Sequence, residues 1–349
     1  MKPSQAILSM KSILKGSNTP YLQGKPGIGK SAIVRKLAEE FAEDREIVNS
    51  INPTKKQFGF IDFRLSLYET VDLGGLPYID EDNQQKRAFL GNLPVGGEGI
   101  LFFDEFAQAH SSVMCVCGQL LYERKIGEYV LPDGWKIVCA GNRSTDRAGA
   151  NKIPTQVNDR CTMLNVDENI NDWIAWATES DVSPDVLGFI SYEPQYLCDF
   201  DPKITTPQAS PRSWVRLSDT LKTNPPKEIL QLICEGDIGE TASIEFLTFL
   251  SLKNDLPNVQ DICEGKDVEM IDEGGKSYAL VCALVSILKS EMDNPKVSGY
   301  FANSLNYVEE LPTPEFAIFY VRSLIGAIPD LAETSTYSDF KIRNQDLEV

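Results

Sequence analysis

The sequence predicts an α/β protein whose first half is built on a parallel five-stranded sheet and whose second half is helical. Up to residue 166, short runs rich in β-branched and aromatic residues alternate with amphipathic segments, which is typical of strands and helices around a parallel sheet. Beyond residue 166 only helical periodicity continues. The chain has 349 residues, of which 42% are apolar, so it is long enough for two domains or more.

The candidate strands are short apolar runs bounded by turn residues, and they lie at 20–24, 58–65, 99–106, 135–142 and 161–166. Between them, segments 30–44 and 110–124 repeat apolar residues at the spacing of an amphipathic helix. Two other segments, 73–90 and 124–134, have the polar or glycine turns of hairpins. We interpret these hairpins as insertions into the core.

The helical half contains candidate helices at 171–180, 183–191, 210–223, 226–235, 239–253 and 277–292. Ser210 is a candidate N-cap, and Pro211 suits the first helical position that follows it. A polar, glycine-containing stretch at 254–275 indicates a boundary before the last of these helices.

The predicted domains are therefore a core at 1–168, a helical domain at 169–254 and a helical extension at 255–349. The extension is expected to end in a frayed polar tail from Thr334.

The composition disfavours some classes of function. The formal net charge is −18, with 51 acidic against 33 basic residues, which disfavours broad contact with nucleic acid or anionic membranes. No stretch approaches 18 uninterrupted apolar residues and the first residues lack the apolar centre of a secretory signal, so we expect a cytoplasmic protein without a membrane partner.

The cysteines are scattered, mostly in apolar runs, as expected of buried reduced thiols; they are Cys115, Cys117, Cys139, Cys161, Cys198, Cys234, Cys263 and Cys282. Cys115 and Cys117 form a C-x-C pair, but the chain has a single histidine, His110, and no C-x-x-C. A zinc site is therefore not expected.

A phosphate-binding loop is predicted at residues 24–31. Gly24, Gly29, Lys30 and Ser31 match G-x-x-x-x-G-K-[ST], between an apolar strand and an amphipathic helix. Glycines allow backbone N–H groups to converge on phosphate oxygens, the lysine supplies charge to the β and γ phosphates, and the serine hydroxyl is suited to ligate Mg²⁺. The other predicted contributors to this loop are Pro26, Gly27, Ile28 and Ala32. The loop alone leaves the base open, ATP or GTP.

An acidic pair follows the apolar run 100–103. Asp104 is the candidate that holds Mg²⁺ through its water shell, and Glu105 is the candidate general base that polarises the attacking water. Both cofactors, a nucleotide and Mg²⁺, follow from the loop and the acids together.

The adjacency of Asp104 and Glu105 makes the chain resemble the AAA+ ATPases, a family of ring-forming P-loop nucleoside triphosphatases, and this implies ATP as the nucleotide. The resemblance implies that Asn142, in "VCAGN", is the sensor-1 residue, on a strand between the loop strand and the acid strand. It further implies that the helical domain 169–254 is a lid over the nucleotide.

The resemblance also assigns catalytic roles to two arginines. Arg160 corresponds to the arginine finger that reaches the neighbouring subunit's nucleotide, with Arg143 and Arg147 as rivals, although Cys161 stands where many relatives have phenylalanine. Arg212 corresponds to the sensor-2 arginine, with Arg216 as its rival.

Within that family, the two hairpins and "VDLGGLP" resemble the MoxR branch. This implies a homo-oligomeric ring, six subunits in our prediction, that hydrolyses ATP to remodel or metal-load a protein partner, one bearing a von Willebrand factor A-like domain. The alternative is a nucleic-acid-associated motor or restriction-type nucleotidase. The mixture of Lys86 and Arg87 with Asp80, Glu81 and Asp82 in hairpin 73–90 suits a protein contact better.

Overall fold

A computed structural model describes residues 1–16, 18–89, 91–146 and 151–344. The chain divides into two compact units, the first formed by Met1–Asn169 with Asp201–Thr205 and the second by Ile170–Phe200 with Thr206–Val349. Each unit has its own hydrophobic core.

The first unit contains strands and helices in alternation: α1 Pro3–Lys15, β1 Thr19–Gln23, α2 Lys30–Ala42, β2 Glu46–Val48, β3 Gln57–Arg64, α3 Thr70–Gly74, β4 Leu76–Ile79, β5 Gln85–Ala88, β6 Gly99–Asp104, α4 Ser111–Glu123, β7 Lys125–Ile126, β8 Tyr129–Val130, β9 Trp135–Gly141, α5 Thr155–Asn158 and β10 Cys161–Asn165. Short 3-10 turns occur at Leu65–Leu67, Phe106–Gln108 and Ser144–Asp146.

Six strands form the main sheet, in the order β10-β1-β9-β6-β3-β2, and all neighbouring pairs are parallel. The five predicted strands are all present, but the predicted count of five is wrong. The sixth strand, β2, is a three-residue edge strand that pairs with β3 from Glu46 to Val48. Its shortness and its polar first residue left no strand pattern in the sequence.

The two faces of the sheet are covered by different helices. Alternate residues of β6 point to opposite faces, so Leu101 and Phe103 join the core that includes α4, whereas Ile100 and Phe102 join the core that includes α1 and α2. This continuous apolar run is expected of a parallel strand buried on both sides. The strand ends in Asp104, at the edge where the apolar core stops.

Both predicted hairpins are present as antiparallel pairs. In the first, β4 pairs with β5 from Leu76 opposite Ala88 to Ile79 opposite Gln85. In the second, Lys125 of β7 lies opposite Val130 of β8.

The second unit is helical throughout its described residues: α6 Ile170–Glu179, α7 Pro184–Tyr192, α8 Pro211–Leu221, α9 Lys227–Ile238, α10 Glu240–Ser251, α11 Val259–Cys263, α12 Gly274–Ser290, α13 Val297–Glu309, α14 Glu315–Ile325 and α15 Ser335–Arg343. Short 3-10 turns occur at Pro194–Leu197, Leu252–Asp255 and Pro329–Glu333.

The predicted cap of α8 is confirmed, because the Ser210 hydroxyl accepts a hydrogen bond from the Ser213 N–H at 3.2 Å and Pro211 occupies the first turn. The cap fixes where the chain turns into α8, whose Trp214 is fully buried.

One core serves both predicted helical domains, since it includes residues as far apart as Trp173 and Phe340. The division at residue 254 stays a prediction.

The predicted polar tail is wrong over the described residues up to 344. Residues 335–343 form α15, whose N-cap Thr334 accepts a hydrogen bond from the Tyr337 N–H at 3.3 Å. Phe340 is fully buried in the core of the second unit, which explains why the segment orders.

No disulfide joins the cysteines, all of which are among the described residues, and most of them are inside; Cys117, Cys139, Cys234, Cys263 and Cys282 are buried, Cys161 and Cys198 are half-buried, and Cys115 is exposed. Burial raises the pKa of Cys234 and of Cys263 to about 11. These two thiols therefore stay protonated at neutral pH and unreactive as nucleophiles. Among the described residues, we find no helix with both the length and the apolar character needed to cross a membrane.

Candidate nucleotide-binding site

The loop between β1 and α2 has a backbone that requires glycine. Gly27 has φ 78° and Gly29 φ 94°, in the left-handed region that side chains other than glycine rarely adopt. At Gly24 the reason is space, because a Cβ there would lie 2.4 Å from Ile28 Cδ1 and 2.6 Å from the Val166 carbonyl oxygen. The three glycines of the predicted motif region are thus fixed by conformation or by close approach.

This loop leads directly into the N-terminus of α2, a helix of 13 residues. Gly29 is the N-cap, and it supplies no side-chain hydrogen bond to the first turn. The free N–H groups of a helix start carry a partial positive charge, so this turn is suited to bind an anion. Pro26 lies in the same turn, and Ala32 lies exposed on the first turn of the helix.

Lys30 is buried, with 9% of its surface exposed. Its ammonium group donates hydrogen bonds to the carbonyl oxygens of Gly24 and Lys25, each at 2.8 Å, and to Asn142 Oδ1 at 2.9 Å. The ammonium therefore lies within the curve of the loop, where the phosphates of a nucleotide would be neutralised. The contact also brings the end of β9 to the loop. The sensor-1 role of Asn142 stays a prediction.

Ser31 and Asp104 are joined directly, since the Ser31 hydroxyl donates to Asp104 Oδ2 at 2.6 Å. The two residues are 73 positions apart in sequence and come from the start of α2 and the end of β6. A hydroxyl and a carboxylate oxygen side by side are the hard ligands that Mg²⁺ prefers, with water completing the octahedron. The residues present thus fit the predicted metal.

Glu105 has an unusual backbone, with φ 53° and ψ 33° in the left-handed region. For a residue with a side chain this conformation is strained, and such strain is concentrated at functional sites. Its N–H donates to Asp104 Oδ1 at 2.8 Å, so the strained turn is tied to the adjacent carboxylate. The Ser66 hydroxyl donates to the Glu105 carboxylate, which holds this side chain at the end of β3.

Two residues near this site were not predicted from the sequence. Asp62 lies on β3, and Ser66 lies in the 3-10 turn that follows it. The pKa of Asp62 is raised above its usual range, mainly by partial burial and to a smaller extent by the negative charge of Asp104. The positive charges of Arg64 and Arg35 oppose this rise. Asp62 lines a small cleft together with Arg35, Ile47, Val48, Asn49 and Phe60.

A pattern in the sequence could have indicated Asp62. Asp62 lies two residues after the buried Phe60, so both residues are on the face of β3 that packs against α2. Asp104 ends the neighbouring strand β6 on the same face, so Asp62 is expected near it.

The three arginine candidates for the finger differ in their contacts. The Arg160 guanidinium donates to the Gly118 carbonyl oxygen at 2.6 Å and lies 5.7 Å from the Tyr122 ring centroid, so its described contacts are with α4. Arg143 donates to Asp167 Oδ1 at 2.6 Å, which ties its guanidinium within its own subunit. Arg147 lies outside the described residues.

Arg212 is exposed in the first turn of α8, in the second unit. Its rival Arg216 forms an ion pair with Asp237 of α9. The contact of Arg212 with a nucleotide stays a prediction, and the ion pair makes Arg216 the less available of the two.

Comparison with known proteins gives only distant likenesses. No protein-family model and no curated protein matches the chain. Among solved structures, NtrX from Brucella abortus in complex with ATP is similar at 12% identity and a TM-score of 0.41, over 99% of this chain and 68% of that one. A RuvB mutant from Thermotoga maritima is similar at 14% identity and a TM-score of 0.35, over 80% of this chain and 79% of that one. At these values neither likeness carries an argument about fold or function.

The crowding at Gly24 gives a test of the loop. We expect Gly24→Ala to weaken binding of a fluorescent ATP analogue by at least about tenfold, because the added methyl must displace Ile28 or the Val166 backbone and so distort the loop. Equilibrium titration in the presence of Mg²⁺ measures the affinity, and circular dichroism checks the fold. Gly91→Ala is the matched control, since a Cβ at Gly91 meets no atom within 4 Å. Equal affinity of both variants and the wild type would show that the loop does not hold the phosphates.

Proposed function

We propose that this chain is an AAA+-type ATPase that hydrolyses ATP to ADP and phosphate at the loop of residues 24–31. The observation that supports this proposal most is the hydrogen bond from the Ser31 hydroxyl to Asp104, beside Lys30. It brings the candidate phosphate-binding loop next to a candidate metal ligand, and the strained Glu105 follows that ligand directly. A scaffold that only bound nucleotide would not need the glutamate.

Each residue of the loop has a defined task in this proposal. The N–H groups of the loop and of the first turn of α2 bind phosphate oxygens. Lys30 exchanges its carbonyl partners for phosphate oxygens and neutralises charge that develops on the β and γ phosphates. Asn142 accepts a hydrogen bond from Lys30 through its side-chain oxygen. In the proposed complex, its amide N–H donates to a γ-phosphate oxygen and its oxygen orients the attacking water.

The predicted metal fits Ser31 and Asp104, which would hold it from the loop and the acid strand. Mg²⁺, when bound, neutralises phosphate charge and so lowers the barrier to transfer. The Ser31 hydroxyl and the Asp104 carboxylate are already in contact, so both oxygens could reach the same ion.

Glu105 acts as the general base. It accepts a hydrogen bond from the attacking water and takes its proton, while the water oxygen bonds to the γ-phosphorus and the bond to the β–γ bridging oxygen breaks. The leaving oxygen stays on ADP. Because the Ser66 hydroxyl donates to the same carboxylate, Ser66 is a positioning residue that controls where this base points.

The site is completed by a second copy of the chain in this proposal. Arginine suits the role because its planar guanidinium matches the charge spread over the transferred phosphoryl group. We assign the role to Arg160 rather than to Arg143, which is held in an ion pair with Asp167. The assembly is a homo-oligomeric ring, six subunits in the MoxR-like form.

We extend the proposal to a MoxR-like role in the cytoplasm, in which hydrolysis remodels or metal-loads a protein partner with a von Willebrand factor A-like domain. The alternative nucleic-acid motor has less support, because the two basic residues of the first hairpin are already engaged. Lys86 pairs with Asp80 at 2.9 Å, and Arg87 donates to the carbonyl oxygens of Gly74 and Gly75. Stimulation of turnover by DNA would favour the alternative.

Removal of the base tests the catalytic assignment. We expect Glu105→Gln to bind ATP with wild-type affinity but to hydrolyse it at least about a hundredfold more slowly, because the amide cannot accept the water's proton. A phosphate-release assay measures turnover. Glu128→Gln is the control, since it makes the same change at an exposed position of the first unit.

If Glu105→Gln hydrolyses at the wild-type rate, the assignment of the base is wrong.

A mixture of two inactive variants, Glu105→Gln and Arg160→Ala, tests whether one site is shared between two subunits. Partial recovery of activity in the mixture supports a site built from two copies, and no recovery contradicts it.

The Ser66 contact predicts a second change in rate. We expect Ser66→Ala to raise basal turnover by up to about tenfold, because it removes a hydrogen bond to a charged group worth about 1.5 kcal/mol and frees Glu105 to meet the water. Affinity for ATP should not change, which separates this effect from loss of folding. Steady-state kinetics measures both. A fall in turnover comparable with that of Glu105→Gln would show that Ser66 orients the base productively instead of restraining it.

A further inference from the structure

The first hairpin, β4–β5, carries apolar side chains that are largely exposed. Every residue of β4 is exposed, including Leu76 at 51%, Tyr78 at 47% and Ile79 at 63%. Leu76 and Tyr78 share one face of the two-stranded sheet, and Ile79 lies on the other. Isolated two-stranded hairpins are marginal in water, and side chains as exposed as these contribute little to the stability of the hairpin.

The hairpin is nevertheless held in place at its base. Arg87 donates to the Gly74 and Gly75 carbonyl oxygens at 3.0 and 3.2 Å. Phe89, just after β5, contacts Tyr129 of the second hairpin with ring centroids 5.8 Å apart. The base is therefore fixed to the first unit, whereas the strand β4 and the turn after it remain available to another molecule.

The first hairpin and the residues just before it carry mostly negative charge. Residues 67–89 contain five carboxylates and two basic side chains. The Lys86 ammonium is paired with Asp80 at 2.9 Å, and the Arg87 guanidinium is bound to backbone carbonyls. Glu81 and Asp82 are exposed at the turn, so apolar side chains stand beside uncompensated negative charge.

We propose that the β4–β5 hairpin binds an extended segment of a protein partner in which apolar and basic side chains alternate. Such a segment presents apolar groups to β4 with the same two-residue period and cations to the acidic turn. The inference rests on the proposed function, since it gives the chemistry of the partner on which the ATPase acts. A phosphate backbone carries the same sign of charge as this turn, and so does the same turn in a second copy of the chain, so neither is the favoured occupant.

The experiment uses the full chain without nucleotide and three short fluorescein-labelled peptides, with alternating Val and Lys, Val and Glu, or Ser and Lys. Fluorescence anisotropy at physiological salt measures the affinity of each. We expect the Val–Lys peptide to bind at least about tenfold more tightly than either of the others, because it alone matches both the apolar strand and the acidic turn. Equal binding of the three would overturn the proposal.

Matched variants locate the site. Tyr78→Ser with Ile79→Ser, and separately Glu81→Lys with Asp82→Lys, should each weaken the Val–Lys peptide by about tenfold or more. Leu8→Ser is the apolar control, because Leu8 is 65% exposed on α1. Glu333→Lys with Asp339→Lys is the charge control, because it makes the same change at exposed residues of the second unit. Affinity unchanged in the hairpin variants, or lowered equally in the controls, would overturn the proposal.

Two further outcomes would also overturn it. A change in oligomeric state in the hairpin variants, measured by light scattering, would assign the surface to a second copy of the chain. Binding of a single-stranded oligonucleotide that the hairpin variants abolish would assign it to nucleic acid. ATP turnover of the same variants is measured separately, so a chain that binds the peptide but hydrolyses no ATP contradicts the proposed function and leaves this inference standing.

Discussion

The buried ammonium of Lys30 is the constraint on which the site depends. A charge removed from water is costly unless it is hydrogen-bonded, and here the Gly24 and Lys25 carbonyls and Asn142 Oδ1 bind it. Two of these acceptors belong to the loop after β1 and the third follows β9. Strands β1 and β9 must therefore be neighbours, which the sheet order satisfies.

The same order brings the acids within reach. Strand β6 lies next to β9, so Asp104 at its end can accept from Ser31 on the first turn of α2. Strand β3 is the next neighbour, and the turn after it supplies Ser66 to Glu105. Four parallel strands thus end at one edge and bring together, in order, the loop of residues 24–31, Asn142, the acid pair Asp104 and Glu105, and Ser66. Ligand sites in open parallel sheets usually lie at this edge. The strained backbone of Glu105 is held by two hydrogen bonds, since its N–H donates to Asp104 Oδ1 and its carbonyl oxygen accepts from the Gln108 N–H.

Much of this could be predicted from sequence, because the loop and the acid pair combine a specific spacing with strongly apolar strands. The residues that were missed lack such a signal. Ser66 lies in "LSL", a 3-10 turn whose one polar residue gives no pattern, and its role depends on the register of β3 with β6. Strand β2 is too short to show alternation. Helix α15 did have a signal, a threonine N-cap followed by Phe340, which the polar composition around it obscured.

We propose that Ser31 and Asp104 act as one metal site beside the loop of residues 24–31. The most direct measurement is a double-mutant cycle on the gain in nucleotide affinity that Mg²⁺ gives, with Ser31→Ala, Asp104→Asn and both changes together. Residues that bind the same ion are energetically coupled. Each single variant should therefore lose most of the increase in affinity that Mg²⁺ gives, and the double variant should lose no more than the more affected single variant. Additive losses, or a full Mg²⁺ gain retained by either single variant, would show that Ser31 and Asp104 do not share one ion.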